Sequence, residues 1–429
     1  MPDPAVGRGW RLGTLATALV ALLALVLAGC GGSSGKGKNR DGDDAAAPAV
    51  PGGNAGAPAY TGPTRGAAGD SFYRPADPLP AGKPGDVLSY RTVPAPAQLA
   101  SLGATVYQVL YLSTDALGKP AAVSGTIVLP GGVDVSKAPV LSYAAGSHGI
   151  GDRCAPSKGI ADGSDYGLDE IAAAARHGWV VAATDYQGLG TPGEHTYVVG
   201  RAEGHAVIDA ARAALRLPGA HPAANAKVAY WGYSQGGGAA AWAGELTATY
   251  APELALVGVA AGGVPADLAE VSKVLEGSQQ VGLQFMAAVG FDAAYPELRL
   301  DSFLTPAGRT AIDALRAGCL DAIAGLAGKG TADIATINPL STAVWQKRLA
   351  ENKLGSAPPS VPLFLYHGTK DVTVAYPQGE ALMRAYCAKG ATVTWQTFDG
   401  DHGAGTAVAP AALDFLTARY ANLPTPNTC

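Results

Sequence analysis

The chain has 429 residues, of which 48% are hydrophobic and 15% are charged, and its formal net charge is -5. This length accommodates one large domain or two small ones with a sizeable core. The chain is not basic enough to bind nucleic acid through a positive surface, so we expect no nucleic-acid partner.

The first thirty residues are typical of an export signal rather than of a folded element. Arg8 and Arg11 precede an apolar run from residue 12 to residue 28, which is short for a membrane span. The run ends in Leu-Ala-Gly-Cys at Cys30, a pattern that resembles the bacterial lipoprotein processing box. We therefore expect residues 1–30 to be a lipoprotein signal peptide, with lipidated Cys30 anchoring the protein to the extracellular face of the membrane. The alternatives are an ordinary signal peptide and release to the medium.

Residues 31–85 consist mainly of Gly, Ala, Pro, Ser and Asp with scattered charges. Such a composition buries too little apolar surface to offset the entropy of ordering the chain. The pattern therefore predicts a disordered tether between the membrane and a folded domain.

From residue 86 onwards, runs of β-branched or alternating residues indicate strands, and later in the chain strands alternate with helices. The predicted strands are Val87–Val93, Thr105–Ser113, Val123–Leu129, Val140–Ala144, Trp179–Thr184, Lys227–Trp231, Leu256–Ala261, Pro362–Tyr366 and Thr392–Phe398. The predicted helices among them are Asp169–His177, Ala202–Leu217, Gly236–Tyr250, Pro377–Lys389 and Val408–Tyr420. This alternation predicts a mostly parallel central sheet covered by helices on both faces, in the order expected of an α/β-hydrolase fold.

Residues 264–354 interrupt the alternation with helical patterns and no strand pattern. The predicted helices are Leu268–Leu275, Gly282–Val289 and Ala307–Leu326. Because the insertion falls at the sheet edge where ligands bind, we predict a helical cap, or lid, domain there. The catalytic domain would then comprise residues 86–263 and 355–429. The alternative is that the insertion only adds packing to the scaffold.

The sequence Gly232-Tyr233-Ser234-Gln235-Gly236 matches the nucleophile elbow G-x-S-x-G, and it lies between a predicted strand and a predicted helix. Glycines on both sides let the strand and the helix approach each other closely. The helix N-terminus also favours negative charge that develops beside the serine. Ser234 is therefore the predicted nucleophile.

A serine hydroxyl needs a base that removes its proton, and the base needs an acid that orients it. In this fold the chain order is serine, acid and then histidine, which selects His402 after the last predicted strand. Asp371 follows the preceding strand and is the predicted acid, with Asp399 and Asp401 as rivals. His367 ends a strand too early to be the base and is assigned a structural role.

An oxyanion hole needs two backbone N–H donors. The residue after the nucleophile, Gln235, is expected to supply one of them. The second could come from either of two loops, residues 146–149 or residues 184–188. This chemistry requires no metal ion and no organic cofactor.

Beyond Cys30 the chain has four cysteines, and an even number in an exported protein predicts two disulfides. Three pairings are possible on counting alone. The spacing of Cys154, Cys319, Cys387 and Cys429 does not match a zinc site.

Several motifs together resemble the secretory lipase family of α/β-hydrolases, the group that includes yeast lipase A-like enzymes. They are Gly232-Tyr233-Ser234, Thr184-Asp185-Tyr186-Gln187-Gly188, Tyr250-Ala251-Pro252-Glu253-Leu254 and Tyr386-Cys387-Ala388-Lys389-Gly390-Ala391. The resemblance implies a helical lid at residues 264–354 and the backbone of Asp185 as the second oxyanion donor. It also implies the disulfide pairs Cys154–Cys319 and Cys387–Cys429. Gln235 replaces the glycine of the yeast members, as in bacterial relatives.

The expected function is hydrolysis of lipid esters, triacylglycerols or other acyl esters, through an acyl-enzyme on Ser234. The alternative enzyme is an esterase or acyltransferase that acts on a non-lipid ester. A surface lipoprotein that only binds is disfavoured, because the three residues of the triad are all present. Within the lid we expect five apolar side chains to face Ser234: Leu283, Phe285, Met286, Val289 and Phe291. The alternative is that this helix face is only buried against the main domain.

Overall fold

The computed structural model describes residues 56–220 and 222–429. The predicted signal peptide, Cys30 and the first part of the predicted tether lie outside these residues. Within the described part, no helix is both long and apolar enough to cross a membrane.

A ten-stranded sheet forms the centre of the described chain, in the order β1-β2-β3-β4-β6-β5-β7-β8-β9-β10. The strands are β1 (Thr64–Arg65), β2 (Val87–Val93), β3 (Thr105–Thr114), β4 (Pro120–Leu129), β5 (Val140–Ala144), β6 (Val180–Gln187), β7 (Lys227–Tyr233), β8 (Ala255–Gly262), β9 (Leu363–Gly368) and β10 (Val393–Phe398). Strands β2, β3, β4 and β6 pair antiparallel. The six strands β6, β5, β7, β8, β9 and β10, in the order of the sheet, pair parallel. The mostly parallel sheet predicted from the sequence is confirmed.

Helices connect the strands and cover the sheet. They are α1 (Ala97–Ala100), α2 (Pro156–Asp162), α3 (Leu168–Arg176), α4 (Gly200–Arg216), α5 (Gln235–Tyr250), α6 (Leu268–Leu275), α7 (Gly282–Ala294), α8 (Pro306–Arg316), α9 (Thr331–Ile334), α10 (Ala343–Glu351), α11 (Pro377–Cys387) and α12 (Ala409–Tyr420). Alternation along β5 separates the two faces of the sheet. The Ser142 hydroxyl donates to the carbonyl of Val207 in α4, so its neighbour Tyr143 faces the opposite side.

The sheet order places a crevice between β5 and β7. From β5 the chain moves to β6 on one side, and after β7 it moves to β8 on the other side. In open parallel sheets, ligands bind outside the carboxyl ends of the strands at such a reversal of strand order. The loops that follow β5 and β7 therefore meet at the position where a site is expected.

The N-terminal segment from residue 56 to residue 85 differs from the sequence prediction of a disordered tether. Strand β1 pairs with β2, and Phe72 and Tyr73 are only 2% and 3% exposed. The Tyr73 hydroxyl accepts a hydrogen bond from Gln108 Nε2 at 2.9 Å and lies 3.0 Å from the Ser157 hydroxyl. The segment has no core of its own, but it buries two aromatic rings against the sheet domain. The tether prediction therefore extended too far, because it weighed composition alone.

Five helices, α6 to α10, fill the insertion between β8 and β9. They form a hydrophobic cluster that also includes Tyr197 and Val199 from the sheet domain. The Cys154–Cys319 disulfide joins this insertion to the loop before α2, and Leu320 N donates to His148 O at 2.9 Å. The predicted helix over residues 307–326 ends at Arg316, because the chain turns at Gly318 and pairs Cys319 with Gly149. The second disulfide, Cys387–Cys429, fixes the C-terminal segment against α11.

Candidate active site

The turn between β7 and α5 holds Ser234 in a strained backbone conformation, with φ 60° and ψ -122°. A Cβ at Gly236 would overlap the carbonyl oxygen of Ala144, and one at Gly232 would overlap that of Gly236. Glycine is therefore required on both sides of the serine by close backbone contact. The turn places Ser234 at the N-terminus of α5, where the helix dipole favours negative charge.

The side chains of Ser234, His402 and Asp371 lie in hydrogen-bond contact, although the chain separates them widely. Ser234 Oγ is 2.8 Å from His402 Nε2, and His402 Nδ1 is 2.6 Å from Asp371 Oδ2. His402 is positioned by its own carbonyl, which accepts the Tyr233 hydroxyl at 2.7 Å. The arrangement lets the imidazole accept the serine proton while the carboxylate holds the ring.

Asp371 lies in the loop after β9, where its carboxylate is almost completely buried. Its Oδ1 accepts the backbone N–H groups of Thr373 and Val374, both at 2.9 Å, and its Oδ2 is 3.3 Å from His367 Nε2. Burial alone would raise the pKa of Asp371, but the contacts with His367 and His402 outweigh it and hold the pKa well below its usual range. The carboxylate therefore stays ionised beside His402. His367 contacts the acid directly, a role that the sequence analysis had described only as structural.

The two rival acids lie outside this contact network. Asp399 is exposed and pairs with Lys370 at 2.8 Å. The Asp401 carboxylate accepts the backbone N–H of Ala404 at 3.1 Å and so caps the turn that carries His402. The two ring nitrogens of His402 are instead in contact with Asp371 and Ser234.

The Gln235 side chain is buried behind the nucleophile and binds two further buried polar groups. Its Nε2 donates to Glu203 Oε1 at 2.7 Å and lies 3.1 Å from His195 Nε2. His195 Nδ1 lies 3.0 Å from the Gln187 carbonyl, so this nitrogen carries the proton and Nε2 accepts. Burial raises the pKa of Glu203 to about 8 and lowers that of His195 to about 4, which keeps both groups uncharged near neutral pH. The sequence analysis did not identify this cluster, because Glu203 and His195 are far from the elbow in the chain.

The structure does not bring Asp185 to the nucleophile. Its side chain is fully buried, accepts hydrogen bonds from Ser124 and Ser157, and has a pKa raised to about 6 by burial. Asp185 does not line either of the two cavities that reach Ser234. Its strand, β6, is separated from β7 by β5, so a loop after β6 is one strand farther away. The expected oxyanion role of Asp185 is therefore unsupported by its position.

The loop at residues 146–149 follows β5, directly beside the elbow. Hydrogen bonds with surrounding side chains hold it in place. Ser147 O accepts the Tyr166 hydroxyl at 3.1 Å, and Ser147 Oγ is 2.6 Å from the Tyr197 hydroxyl. His148 Nδ1 is 2.8 Å from Gly146 O, and its Nε2 is 2.9 Å from Asp165 Oδ2. Burial opposes the charged form of His148, but Asp165 outweighs it and raises the pKa. The loop is thus a rigid segment next to Ser234.

Two cavities meet at Ser234. The first is narrow and runs from Ser234 and Gln235 into the insertion among apolar side chains such as Leu268, Val271, Phe285, Phe291, Ile334 and Trp345. The second, about 300 Å³, is reached from Ser234 and His402 and is lined by aromatic and polar side chains together with the aliphatic Leu283, Leu320 and Ile323. Two cavities of different lining that share Ser234 suit an ester with two unlike halves.

Helix α7 contributes unequally to the first cavity. Leu283, Phe285 and Phe291 line it, as expected from the sequence. Met286 and Val289 do not line it and are buried in the hydrophobic cluster of the insertion instead. Helical periodicity identifies one apolar stripe, but it cannot divide that stripe between a cavity and a core. In the residues that the structure describes, no cluster of three His, Cys, Asp or Glu side chains could hold a metal ion.

The raised pKa of Glu203 predicts that the stability of the folded protein depends on pH. The pKa of Glu203 in the folded protein is raised to about 8, so the folded protein keeps this proton up to about pH 8, whereas the unfolded chain releases it near the ordinary pKa of 4.5. Raising the pH between these values therefore destabilises the folded state. Glu203→Gln removes the titration and keeps an oxygen that accepts from Gln235. We expect the stability of the variant relative to wild type, measured by urea unfolding, to improve steadily from about pH 5 to about pH 8. A difference that does not change with pH would show that Glu203 is ionised throughout.

Comparisons with known proteins identify the family of this chain. The secretory lipase family profile matches residues 161–428. Secreted triacylglycerol lipase LIP7 of Malassezia globosa is 30% identical, over 84% of this chain and 81% of the relative. A protein described as a probable inactive lipase from Mycobacterium tuberculosis is also 30% identical, over 83% and 82% of the two chains.

Solved structures extend the likeness to the fold. Candida antarctica lipase A matches with a TM-score of 0.73 and 23% identity, over 81% of this chain and 84% of that chain. The rice cell wall degrading esterase LipA from Xanthomonas oryzae matches with a TM-score of 0.65 and 22% identity, over 78% and 98%. The α/β-hydrolase fold predicted from the strand order is therefore confirmed. The chain belongs to the secretory lipase family and is a lipase-like carboxylic ester hydrolase.

Proposed function

We propose that this protein hydrolyses lipid esters by acyl transfer through Ser234, His402 and Asp371. The observation that carries the proposal is the continuous contact from Ser234 Oγ to His402 and on to Asp371. A serine in a strained elbow with this contact to a histidine–carboxylate pair is the arrangement that activates a hydroxyl as a nucleophile.

The reaction has two steps, acylation of Ser234 and hydrolysis of the acyl-enzyme. Ser234 Oγ attacks the ester carbonyl as His402 Nε2 takes its proton, and the imidazolium then gives this proton to the departing alkoxide, so that the alcohol leaves. Water then attacks the acyl-enzyme with His402 as base, the bond between the acyl carbon and Ser234 Oγ breaks, and the imidazolium returns the proton to Oγ as the acid is released. The buried carboxylate of Asp371 stabilises the imidazolium in both steps.

The oxyanion formed on the carbonyl needs N–H donors next to the elbow. Gln235 would donate from the first residue of α5, with its side chain fixed by Glu203 and His195. For the second donor we propose a backbone N–H of the loop at residues 146–148, in place of Asp185. The position of this loop beside β7 and its hydrogen bonds support that choice.

The triad assignment predicts a steep ranking of variants. Ser234→Ala should lower kcat for a p-nitrophenyl ester by several orders of magnitude, on the order of 10⁴ to 10⁶, since only the reacting hydroxyl is lost. Asp371→Asn should cost on the order of 10⁴, because it removes the charge that orients His402. The matched control, Asp399→Asn, should change kcat by less than about twofold. Loss of activity in Asp399→Asn together with an active Asp371→Asn would assign the acid to Asp399.

The first cavity supports a substrate with a long acyl chain. It begins at Ser234, penetrates the insertion at residues 264–354, and is enclosed mostly by aliphatic and aromatic side chains. Each methylene that moves from water into such a channel contributes roughly 0.8 kcal/mol. The insertion would thus act as a cap that binds the acyl chain.

Blocking the channel tests this role. Ala288 lines the cavity and Ala293, on the same helix, does not. Ala288→Phe should reduce kcat/KM for a p-nitrophenyl dodecanoate more than about tenfold, since excluding two methylenes already costs roughly 1.6 kcal/mol. Hydrolysis of the acetate should be little changed. Ala293→Phe, the control, should affect both esters equally. Equal losses on both esters in Ala288→Phe would show that the cavity does not receive the acyl chain.

We further propose that the enzyme is exported and tethered by a lipid on Cys30. The Leu-Ala-Gly-Cys pattern after the apolar run supports the lipidation, and the relative described as a secreted lipase supports the export. Residues up to 55 would link the anchor to the described domain.

The tether is tested in cells of the source organism or a related bacterium. Cys30→Ser should move the protein from the membrane fraction to the soluble or culture fraction, because the lipid anchor can no longer be attached. Fractionation followed by immunoblotting measures the change. Membrane association that persists in Cys30→Ser would point to retention by the uncleaved apolar segment.

A further inference from the structure

The second cavity at Ser234 has a lining that hydrolysis alone does not explain. It is walled by the rings of Tyr143, Trp231, Tyr233 and Tyr366, which project from β5, β7 and β9. Tyr143 and Trp231 pack edge to face with their centroids 5.5 Å apart, and Tyr233 stacks on Tyr366 at 5.8 Å. Four aromatic side chains thus line one chamber.

The position of His402, which returns a proton to the departing alkoxide, indicates which half of the ester enters this chamber. His402 lines the second cavity and not the first, whereas Gln235 lines only the first. The departing alkoxide must lie within reach of His402 Nε2, which returns the proton to it. The alcohol half of the ester therefore occupies the second cavity, and the acyl half occupies the first.

Glu170, in the first turn of α3, adds a carboxylate to the wall of this chamber. Its Oε2 is buried without a hydrogen-bond partner, and no Lys or Arg is among the described side chains that line the cavity. Burial raises the pKa of Glu170, and the nearby carboxylates Asp169 and Asp165 add to the rise. The N-terminus of α3 and the backbone N–H of Glu170 stabilise its charge in part, but no cationic side chain in the cavity lining pairs with the carboxylate.

We propose that the second cavity selects esters whose alcohol carries a positive charge, with a quaternary or other small ammonium group held by Glu170 and the aromatic rings. This inference rests on the proposed function, since it assigns the alcohol side of the same site. Ring faces attract cations through their quadrupoles, and a carboxylate adds a direct charge contact. A volume of about 300 Å³ accommodates a trimethylammonium group.

The test uses two butyrate esters of nearly the same shape, the choline ester and its neutral 3,3-dimethylbutyl isostere. We expect the wild-type enzyme to show a kcat/KM about tenfold higher for the choline ester. Glu170→Gln keeps the shape and removes the charge, so it should lower kcat/KM for the choline ester about tenfold relative to the neutral ester and thereby abolish this preference. The control is Asp169→Asn on the same helix, which removes an exposed charge outside the cavity and should keep the preference.

Equal rates for the two esters in the wild type, or a preference that survives in Glu170→Gln, would overturn the proposal. Either result leaves the proposed ester hydrolysis intact, because the neutral ester reports on that reaction separately. Titration calorimetry with choline gives a second readout that does not depend on activity. Binding to the wild type that is lost in Glu170→Gln supports the cation site, and absence of binding to the wild type contradicts it. Absence of all ester hydrolysis would instead refute the proposed function.

Discussion

The close backbone contact between β7 and α5 at Ser234 is the constraint on which the rest of the site depends. Gly232 and Gly236 allow the strand and helix to meet, and a Cβ at either position would overlap a carbonyl oxygen. The contact forces a positive φ on Ser234 and places its hydroxyl above the sheet. Because β7 lies at the reversal of strand order, the loops that complete the site converge on this one residue.

Buried polar contacts hold the surroundings of the nucleophile in place. Asp371 is fixed by two backbone N–H groups and by His367, and it fixes His402 in turn. On the other side, the Gln235 side chain is anchored by Glu203 and His195. Such groups cost free energy to bury, and hydrogen bonds offset that cost only when their geometry is maintained. The result is a site whose groups are aligned before a substrate binds.

The insertion gives the two sides of the site different chemistry. Its helices enclose an apolar channel on the side of Gln235, whereas aromatic rings of the sheet and Glu170 line the chamber on the side of His402. The Cys154–Cys319 disulfide ties the insertion to the loop that precedes α2 and so limits how far the channel can move from the nucleophile. The two domains thus contribute in different proportions to the two cavities, with the insertion dominating the first and the sheet domain the second.

The sequence by itself determined the order of strands and helices and the glycine-flanked turn at Ser234, and it predicted that His402 and Asp371 act with Ser234, because each of these depends on local pattern or on chain order. It could not determine which loop lies beside Ser234. The reversal of strand order exists only in the assembled sheet, and it places residues 146–149 beside Ser234 and Asp185 one strand away. The burial of Phe72 and Tyr73 could not be predicted either, because the surrounding segment is rich in Gly, Ala and Pro. Glu203, His195 and Glu170 acquire their importance only from tertiary contacts, because burial and the absence or presence of a partner decide the charge of such groups.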